Sequence, residues 1–506
     1  MAKLELKRRE VDGLVAVFAK ALDVAQRIAR CEEIPALLEG FSASFIEPGA
    51  SGAITRGKFE ILPTGRNFYA VDPRMLPTRA AWEVGVKTAH KMLNYYLEKH
   101  GRYPESVGHV LWSIDAYKAD GEQLAQILYL LGVRPVWGPD GAVQGLEVIP
   151  LDELKRPRID CVTRISGIVR DTLPNYPYLI DDAVEKVVVL DEPLDLNFVR
   201  KHYIEYAREL LRLGRSVEDA RVAARYRVFC SPPGSYGAGV NYAVEASAWE
   251  EDEDLAKTWV QWAGYAYGKS SHGAKAHDVL VLTLKDVDAV SRSHPSDEHD
   301  LLACCCYFAY HGGFFNSAKA ISGKDIDAIH VDTRDLSNLD VRDVKVEIER
   351  VVRAKLLNPA WIEEMKKHGY RGANEFSKKI LHLYGWSATT KLVEDWVFDE
   401  IAKTYALNEE MRKWFEEHNV WSLEEIVRRL VEAAERNLWR PPNELLEQLR
   451  EVYAELEGIL EETAVGEGDR QGGSINIITA EAVDHWKNSI LEVEAIWRRV
   501  KQEAGS

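Results

Sequence analysis

The densest set of potential metal ligands in this chain lies in one stretch, SHPSDEHDLLACCCYFAYHGGFF. It contains His294, Asp297, Glu298, His299, Asp300, Cys304, Cys305, Cys306 and His311. Imidazole and thiolate groups suit cobalt, nickel and zinc, whereas magnesium prefers sites made of oxygen atoms. The spacing matches none of the usual closed zinc sites, and free cysteines also act as small buried hydrophobic residues. The residues alone therefore indicate either a site for a borderline divalent ion or an ordinary buried segment.

Aromatic residues form a second cluster around the glycine-rich segment 234–239. They are Tyr236, Tyr242, Trp249, Trp259, Trp262, Tyr265 and Tyr267. Flat aromatic surfaces beside a flexible backbone are suited to the stacking of a planar macrocycle. Aromatic residues at helical spacing are equally typical of core packing, so both interpretations stay open.

Three arginines are candidates for binding the carboxylates of a ligand. Arg164 and Arg170 lie near the end of a predicted strand, and Arg66 precedes Asn67 in LPTGRNFYAVD. A guanidinium group binds a carboxylate through two parallel hydrogen bonds, which fixes the orientation of the ligand. Exposed arginines are also ordinary surface residues, and the turn at Gly65 is equally consistent with a structural role.

One segment resembles a phosphate-binding loop but has the wrong spacing. In GYAYGKS, three residues separate Gly264 from the pair Gly268 and Lys269, whereas a phosphate-binding loop has four. The chain also has no Gly-x-Gly-x-x-Gly segment after a predicted strand and no Gly-x-Ser-x-Gly elbow. We therefore expect no nucleotide on this chain, and any ATP that its activity needs is hydrolysed by another chain.

Composition excludes several classes of function. The chain has 506 residues, with 64 Lys and Arg against 81 Asp and Glu, and a formal net charge of −17. This charge argues against binding to nucleic acid or to anionic membrane surfaces. No apolar run is long enough for a membrane span and no secretory signal is apparent, so we expect a cytoplasmic protein. Six cysteines, three of them adjacent, do not make a disulfide framework.

Alternation of predicted strands and helices indicates an α/β front with a mainly parallel sheet. The predicted strands are 106–114, 134–137, 158–169, 186–190, 287–290 and 327–332. The predicted helices are 78–100, 121–131, 178–186, 195–225 and 243–268, and segment 271–284 is ambiguous between helix and strand. Beyond residue 341, long helices with charged faces predict an all-helical C-terminal region.

This pattern predicts five divisions of the chain. They are an N-terminal helix with an irregular linker (1–72), an α/β domain (73–195), an α/β substrate and metal region (196–340), a helical region (341–461), and a linker with a C-terminal helix (462–506). The N-terminal helix is predicted over residues 10–38, the last linker over 465–474 and the last helix over 479–501.

Several segments, taken in order, resemble a known family. They are LPTGRNFYAVDPRMLPTRAAWEVG, RPRIDCVTRISGIVRDTLPN, SPPGSYGAGVN, WAGYAYG, EHDLL, HGG, AKLLNPAWIEEMKKHGYRGANEF and YGWSATT. Together they resemble the C-terminal part of the CobN-type large subunit of cobaltochelatase, with the magnesium chelatase H subunit as a more distant relative. The likeness extends from about residue 41 to residue 461.

The resemblance implies insertion of a divalent ion, Co²⁺ as the substrate ion, into a corrin-ring tetrapyrrole such as hydrogenobyrinic acid a,c-diamide. It also implies that ATP and Mg²⁺ bind to partner subunits, an AAA+ ATPase and its metal-ion-dependent-adhesion-site partner. His299, Asp300 and His311 are then expected in catalysis, and His299, Cys306 and His311 around the metal ion. The residues expected to bind the ring are Arg66, Asn67, Arg164, Arg170, Tyr236, Asn241, Trp262 and Tyr265.

The chain departs from this family in two ways. Cys304, Cys305 and Cys306 stand where relatives usually carry aspartates, so soft sulfur replaces oxygen ligands. Family members also have a long N-terminal portion, which we expect to be supplied as a separate fragment of the large subunit. A magnesium or nickel chelatase, or a non-catalytic tetrapyrrole or metal carrier, are the alternatives.

Overall fold

An eight-stranded sheet forms the centre of the computed structural model, which describes residues 8–69, 71–463 and 490–501. Its order is β12-β11-β10-β3-β6-β7-β8-β9, and β1-β2 and β4-β5 form two small separate sheets. The strands are β1 (Pro48–Ala50), β2 (Asn67–Tyr69), β3 (Ser106–Leu111), β4 (Val133–Trp137), β5 (Val143–Val148), β6 (Asp160–Ile165), β7 (Val228–Cys230), β8 (Tyr265–Tyr267), β9 (His272–Lys275), β10 (Val287–His294), β11 (Asp327–Asp332) and β12 (Asp340–Asp343).

Helices cover the sheet and make up the rear of the molecule. They are α1 (Arg8–Ile28), α2 (Glu33–Phe41), α3 (Arg79–His100), α4 (Ser113–Ala119), α5 (Glu122–Leu131), α6 (Leu151–Leu154), α7 (Gly167–Thr172), α8 (Asn175–Val188), α9 (Phe198–Arg212), α10 (Val217–Ala223), α11 (Val240–Glu245), α12 (Asp252–Ala263), α13 (His277–Asp286), α14 (Cys305–Tyr307), α15 (Gly313–Ser322), α16 (Val344–Val351), α17 (Pro359–Lys366), α18 (Tyr370–Thr390), α19 (Asp395–Ile401), α20 (Glu409–His418), α21 (Val420–Glu435) and α22 (Asn443–Thr463). Three π-helical turns interrupt them at Phe308–Gly312, Val352–Leu356 and Ala402–Ala406.

The predicted fold class is confirmed: a mixed, mostly parallel sheet is followed by a helical C-terminal region. The sheet takes strands from both predicted α/β segments. The predicted linker 465–474 lies outside the described residues, and the predicted last helix is described only over 490–501, where it is helical. Within the described parts of the chain, no helix is both long and apolar enough to cross a membrane.

Several local predictions were wrong or incomplete. The predicted helix 10–38 is divided into α1 and α2, and the predicted strand 158–169 ends at Ile165, after which α7 begins. Residues 186–188 continue α8 instead of forming a strand, because Ala183, Val184 and Val187 extend its buried helical face. The predicted helix 243–268 ends at Ala263, and the next residues form β8, which pairs with β7. The ambiguous segment 271–284 contains both kinds of structure, namely β9 and then α13.

The order of the strands reverses at one point in the sheet. The chain builds β3, β6 and β7 side by side in one direction, and then returns to place β10 on the other side of β3, followed by β11. These five strands are parallel. Ligand crevices in such sheets form outside the carboxyl ends of the strands, at the point of reversal. A ligand crevice is therefore expected at the carboxyl ends of β3 and β10 and of their neighbours β6, β7 and β11.

A buried network of charged side chains joins β6 to α9 and to the residue that precedes β7. Asp160, which opens β6, accepts hydrogen bonds from Arg227 Nε (2.8 Å) and lies 2.9 Å from His202 Nδ1 on α9. All three side chains are at most 1 % exposed. Burial by itself lowers the pKa of His202, but the hydrogen bonds to Asp160 and Glu105 outweigh it and raise the pKa to about 9. His202 is therefore protonated at neutral pH.

We expect stability to fall as pH rises, because the folded pKa of His202 lies above the ordinary value of about 6.5. The contribution of the protonated side chain is fully present below about pH 6.5 and is lost as pH rises through about 9. Urea unfolding between about pH 6 and about pH 9.5 measures this loss. A His202→Gln variant should be less stable than the wild type at the acidic end and lose less stability across this range. An equally steep loss in that variant would contradict the assignment.

Candidate functional site

A glycine-rich loop, residues 231–239, leaves the carboxyl end of β7 and is held by two buried arginines. Arg164 Nη2 donates to the carbonyl of Gly237 (2.9 Å), and Arg170 Nη1 donates to the carbonyls of Pro232 (2.7 Å) and Ser235 (3.0 Å). Arg170 also makes a bidentate pair with Asp171. Both arginines, predicted to bind ligand carboxylates, thus bind backbone carbonyls of this loop, and Arg170 also binds the carboxylate of a neighbouring residue.

Two exposed tyrosines, Tyr236 within the loop and Tyr242 just after it, present their rings here, and we call them together with residues 231–239 the tyrosine platform. The ring of Tyr236 is 54 % exposed and lies over the Arg170 guanidinium at 5.3 Å, while its hydroxyl donates to Asp171 (2.7 Å). Tyr242 is 36 % exposed and packs against Trp262, with ring centroids 5.9 Å apart. The two rings are thereby held in place beside a loop that is open to solvent.

Trp262 packs against the tyrosine platform at Tyr242 and Gly239. A Cβ atom on Gly239, whose φ is +77°, would lie 2.4 Å from the Trp262 ring, so only glycine fits at this position. Asn241 is buried at the start of α11, directly after the loop. Tyr265 is half-buried on β8 and meets His277 edge to face at 5.1 Å. Of the other aromatic residues of this cluster, Trp249, Trp259 and Tyr267 are buried in the core.

A second group lies at the point where the strand order reverses. Arg292 on β10 is buried, pairs with Asp115 (2.8 Å) and lies over the Tyr307 ring at 4.1 Å. Trp112, which directly follows β3, stacks on Tyr307 with a centroid distance of 4.8 Å and an interplanar angle of 17°. The carboxyl ends of β3 and β10 thus carry an aromatic wall with a buried cation beside it.

His294 completes this group at the end of β10. It is 1 % exposed, and neither of its ring nitrogens has a hydrogen-bond partner among the residues that the structure describes. Its ring lies 5.2 Å from that of His330 on β11. Burial, followed by the nearby charge of Arg292, lowers the pKa of His294 well below its ordinary value. A neutral imidazole with a free nitrogen is able to accept a proton or to bind a metal ion.

The segment before β2 closes this edge of the sheet. Arg56 pairs with Glu122 and donates to the carbonyl of Thr333, and Lys58 pairs with Asp120 at 2.5 Å. Burial raises the pKa of Glu122 to about 7, against the opposing effect of Arg56. The cavity between Trp112 and Glu122 has a volume of about 10 Å³. This edge, as closed here, has no room for a large ligand.

The segment His299–Leu302 is anchored in the helical region. Asp300 is 1 % exposed and pairs with Lys355 and, at 3.3 Å, with Lys379 on α18. Burial raises the pKa of Asp300, but the two lysines outweigh this effect and hold it below its usual value. Its carboxylate is thus occupied by two ammonium groups, whereas His299 beside it is exposed.

Backbone carbonyls of the same segment make two further bonds to α18. Trp386 Nε1 donates to the carbonyl of Leu301 (3.0 Å), and His382 Nδ1 donates to that of Leu302 (2.8 Å). The position of the cysteine run that follows is therefore set by contacts with the helical region.

The structure does not bring the predicted metal ligands His299, Cys306 and His311 together. His311 is buried in a π-helical turn, where its Nε2 lies 3.2 Å from the carbonyl of Val290 and burial lowers its pKa to about 4. In the described residues, groups of three potential ligands within 4.8 Å of one another are Cys304, Cys305 and Cys306, and His202, Glu205 and Asp286. His299, Cys306 and His311 are not one of these groups, and His311 is buried whereas His299 is exposed, so their role as a ligand set stays a prediction.

Arg66 and Asn67 make no hydrogen bond, among the described residues, to the tyrosine platform or to the residues around Arg292. Both are exposed at the start of β2, and the Arg66 side chain packs over Gly49 on β1. Their predicted role in binding the ring stays a prediction.

Comparison with known proteins identifies the family. A family model described as CobN/Magnesium Chelatase matches residues 3–446. The chain belongs to the CobN/magnesium chelatase family. It is 51% identical over 461 residues to an uncharacterized protein of Methanocaldococcus jannaschii, with 90% of this chain and 37% of that protein covered. It is 37% identical over 426 residues to the aerobic cobaltochelatase subunit CobN of Pseudomonas aeruginosa, with 84% and 34% covered.

A solved structure of the CobN/magnesium chelatase family agrees with this fold. The catalytic subunit of cobaltochelatase from Mycobacterium tuberculosis superposes with a TM-score of 0.80 and 38% sequence identity, over 84% of this chain and 36% of that one. The resemblance inferred from the sequence is thereby confirmed. The chain spans about a third of the length of the curated relatives it matches.

Sequence reasoning missed several residues that this CobN-family fold brings to the carboxyl edge. They are Trp112, Asp115, Glu122, Arg292, Tyr307 and His330. Trp112 and Arg292 each lie in or just after a predicted strand, and this position was the available signal. The pairing of β3 with β10, which brings them together, has no counterpart in the local sequence pattern.

We expect Asp300→Asn to lower the free energy of unfolding by about 3–5 kcal/mol, because it leaves Lys379 buried without its main counter-charge. Chemical denaturation measures this loss. The exposed Asp297 provides a matched control, and Asp297→Asn should cost less than about 1 kcal/mol. Adding Lys379→Met to Asp300→Asn should recover part of the loss. Equal effects of the two single substitutions would refute the buried pairing as the cause.

Proposed function

We propose that this chain is the C-terminal part of the large subunit of an ATP-dependent metal chelatase, which inserts Co²⁺ into a corrin-ring tetrapyrrole in cobalamin biosynthesis. The proposed ring is hydrogenobyrinic acid a,c-diamide, and the proposed location is the cytoplasm. The observation that carries the proposal is the tyrosine platform, where Tyr236 and Tyr242 are exposed on and beside a loop held by buried arginines. Similarity to relatives named as cobaltochelatase subunits supports it.

The chemistry of insertion matches the groups at this edge of the sheet. The ring nitrogens lose two protons while the ion loses its bound water, so the site needs a flat surface and proton acceptors. The platform offers flat aromatic surface on which a macrocycle stacks. Glu122, whose pKa burial raises to about 7, is the group best suited to accept a proton, whereas His294, whose pKa is lowered, is a weak base that offers a free nitrogen. Their use requires that the segment around Arg56 move away from the edge.

The proposed ion is Co²⁺, on the basis of the ligand types in the chain. Thiols replace the expected aspartates, and thiolate and imidazole ligands favour cobalt, nickel or zinc over magnesium. A nickel chelatase is therefore a closer alternative than a magnesium chelatase. A non-catalytic tetrapyrrole or metal carrier is the alternative from another class, in which the fold is kept but the acidic ligands are lost.

ATP hydrolysis belongs, in this proposal, to an AAA+ subunit with its Mg²⁺ and to that subunit's metal-ion-dependent-adhesion-site partner. Lys269, the lysine of the misspaced Gly-Lys-Ser segment, pairs with Asp182 (2.9 Å) and Glu185 (2.7 Å). Its charge is thus compensated within the chain, which supports the absence of a nucleotide site here.

A separate N-terminal fragment of the large subunit is the remaining proposed partner. The relatives carry about two thirds of their length outside the matched region. Helix α1 leaves Val15, Phe18 and Leu22 exposed, and α2 leaves Leu37 and Phe41 exposed. An apolar face of this kind is typical of a surface that another segment covers. We propose that the N-terminal portion packs there and supplies the opposite wall of the ring site.

We expect Tyr236→Ala to weaken binding of the metal-free corrin precursor by roughly two- to tenfold, the value of one aromatic stacking contact. An absorbance titration of the ring measures this change. Tyr370→Ala is the matched control, because Tyr370 is similarly exposed but lies in the helical region. If the control binds the ring more weakly and Tyr236→Ala binds it unchanged, the ring binds elsewhere and the platform is not its site.

We expect cobalt insertion only when the chain is combined with both ATPase subunits and the N-terminal portion of the large subunit, because this chain offers one wall of the site. Insertion is followed by the absorbance of the metallated ring. Full activity without the N-terminal portion would refute the requirement. Parallel reactions with Ni²⁺ and Mg²⁺ compare the alternative ions, and ring binding without insertion in the complete mixture would favour the carrier.

A further inference from the structure

The cysteine run forms a compact cluster of three sulfur atoms. Cys304 is extended, with φ −142° and ψ 137°, and a helical segment begins at Cys305 and continues through the π-helical turn into α15. This change of direction turns three successive side chains toward one another. Their Sγ atoms all lie within 4.8 Å of one another.

The cluster opens into a cavity of about 340 Å³ between the cysteine run and helices α18 and α21. Cys304 and Cys305 contribute to its wall, and so do His382 and Glu245. All three cysteines are half-buried and form no disulfide. Cys304 and Cys305 thus line a space large enough for an ion, its remaining ligand and water, and the Cys306 sulfur lies next to theirs.

His382 is oriented as histidine ligands of metal ions commonly are. Its ring is 7 % exposed, and its Nδ1–H donates to the carbonyl of Leu302 at 2.8 Å. This bond fixes the tautomer, so the lone pair lies on Nε2. Metal-binding histidines usually make such a bond with the nitrogen that does not bind the metal.

Two cationic side chains line the cavity, Arg429 and Lys378. The Arg429 guanidinium donates to Glu425 (2.8 Å) and Glu432 (2.7 Å), so its charge is compensated. Glu245 adds a further carboxyl group to the wall. A divalent cation that enters the cavity therefore meets sulfur and carboxyl groups, and Lys378 is the cation on the wall that it has to approach.

We propose that Cys304, Cys305 and Cys306 bind a borderline divalent cation, Co²⁺ or Zn²⁺, as a three-thiolate site with its fourth position open toward His382. Tetrahedral metal–sulfur bonds of about 2.3 Å hold the sulfur atoms roughly 3.8 Å apart. The sulfur atoms need to approach by no more than about 1 Å, which side-chain rotation achieves. Three protein ligands with an open position are typical of sites that exchange a ligand, whereas purely structural zinc sites are closed.

This site is distinct from the tyrosine platform, and its existence does not depend on the chelatase function. It is tested with the reduced wild-type chain and Co²⁺ alone, without ring, ATP or partner subunits. We expect one equivalent of Co²⁺ to give an intense sulfur-to-cobalt charge-transfer band and the visible bands of tetrahedral cobalt. Zn²⁺ should displace the Co²⁺, because zinc follows cobalt in the stability order, and excess Mg²⁺ should not.

Substitution of single cysteines identifies the ligands. Each of Cys304→Ser, Cys305→Ser and Cys306→Ser should weaken Co²⁺ binding at least about tenfold and reduce the charge-transfer band. The matched control is Cys31→Ser, because Cys31 is also half-buried but lies near α1. Unchanged affinity in all three variants would overturn the proposal, as would a spectrum of six-coordinate cobalt with oxygen ligands.

A measurement on the wild type keeps the test independent of any folding defect in the variants. Zn²⁺ should protect the three adjacent cysteines from alkylation, with the modified residues identified by mass spectrometry. Cys31 should react equally with and without zinc. Equal alkylation of Cys304, Cys305 and Cys306 in both conditions would overturn the site, and so would a disulfide among them that persists under reducing conditions.

Discussion

The buried charge of Asp300 is the constraint on which the arrangement of the central region depends. A carboxylate at 1 % exposure is tolerated only because Lys355 and Lys379 compensate it. These lysines belong to the helical region, whereas Asp300 follows the sheet strand β10, so the pairing fixes one layer against the other. The bonds from α18 to Leu301 and Leu302 then determine where the cysteine run begins. The platform at the end of β7 is positioned separately, by the arginines of β6 and α7.

The layer organisation was predictable from the sequence because it depends on local periodicity. Strands at 106–111, 160–165 and 327–332 show β-rich runs bounded by turn residues, and the helical rear shows charged and apolar faces in alternation. The run KVVVL was misread because a short apolar segment fits a strand and a buried helix end equally well. Its true state depends on the partner that the helix finds in three dimensions.

The site was less predictable because tertiary contacts determine which partner each side chain binds. Arg164 and Arg170 have the chemistry to bind carboxylates, yet both donate to carbonyls of the loop, and Arg170 is paired with Asp171. His311 lies close in sequence to Cys306, but the π-helical turn between Phe308 and Gly312 adds a residue to one turn and rotates the side chain into the core. Local sequence does not encode such a turn, so spacing arguments fail across it.

The reversal of strand order has a consequence for how the chain is made. One edge of β3 pairs with β6. Its other edge pairs with β10, which begins only at Val287 and is therefore synthesised much later. During synthesis the backbone N–H and C=O groups on this edge of β3 therefore remain unpaired long after its own residues have left the ribosome. Non-local pairing of this kind folds slowly, and an open strand edge invites association with other chains. Nascent chains of this protein thus have a period of vulnerability in which a chaperone or an early-bound partner would protect them.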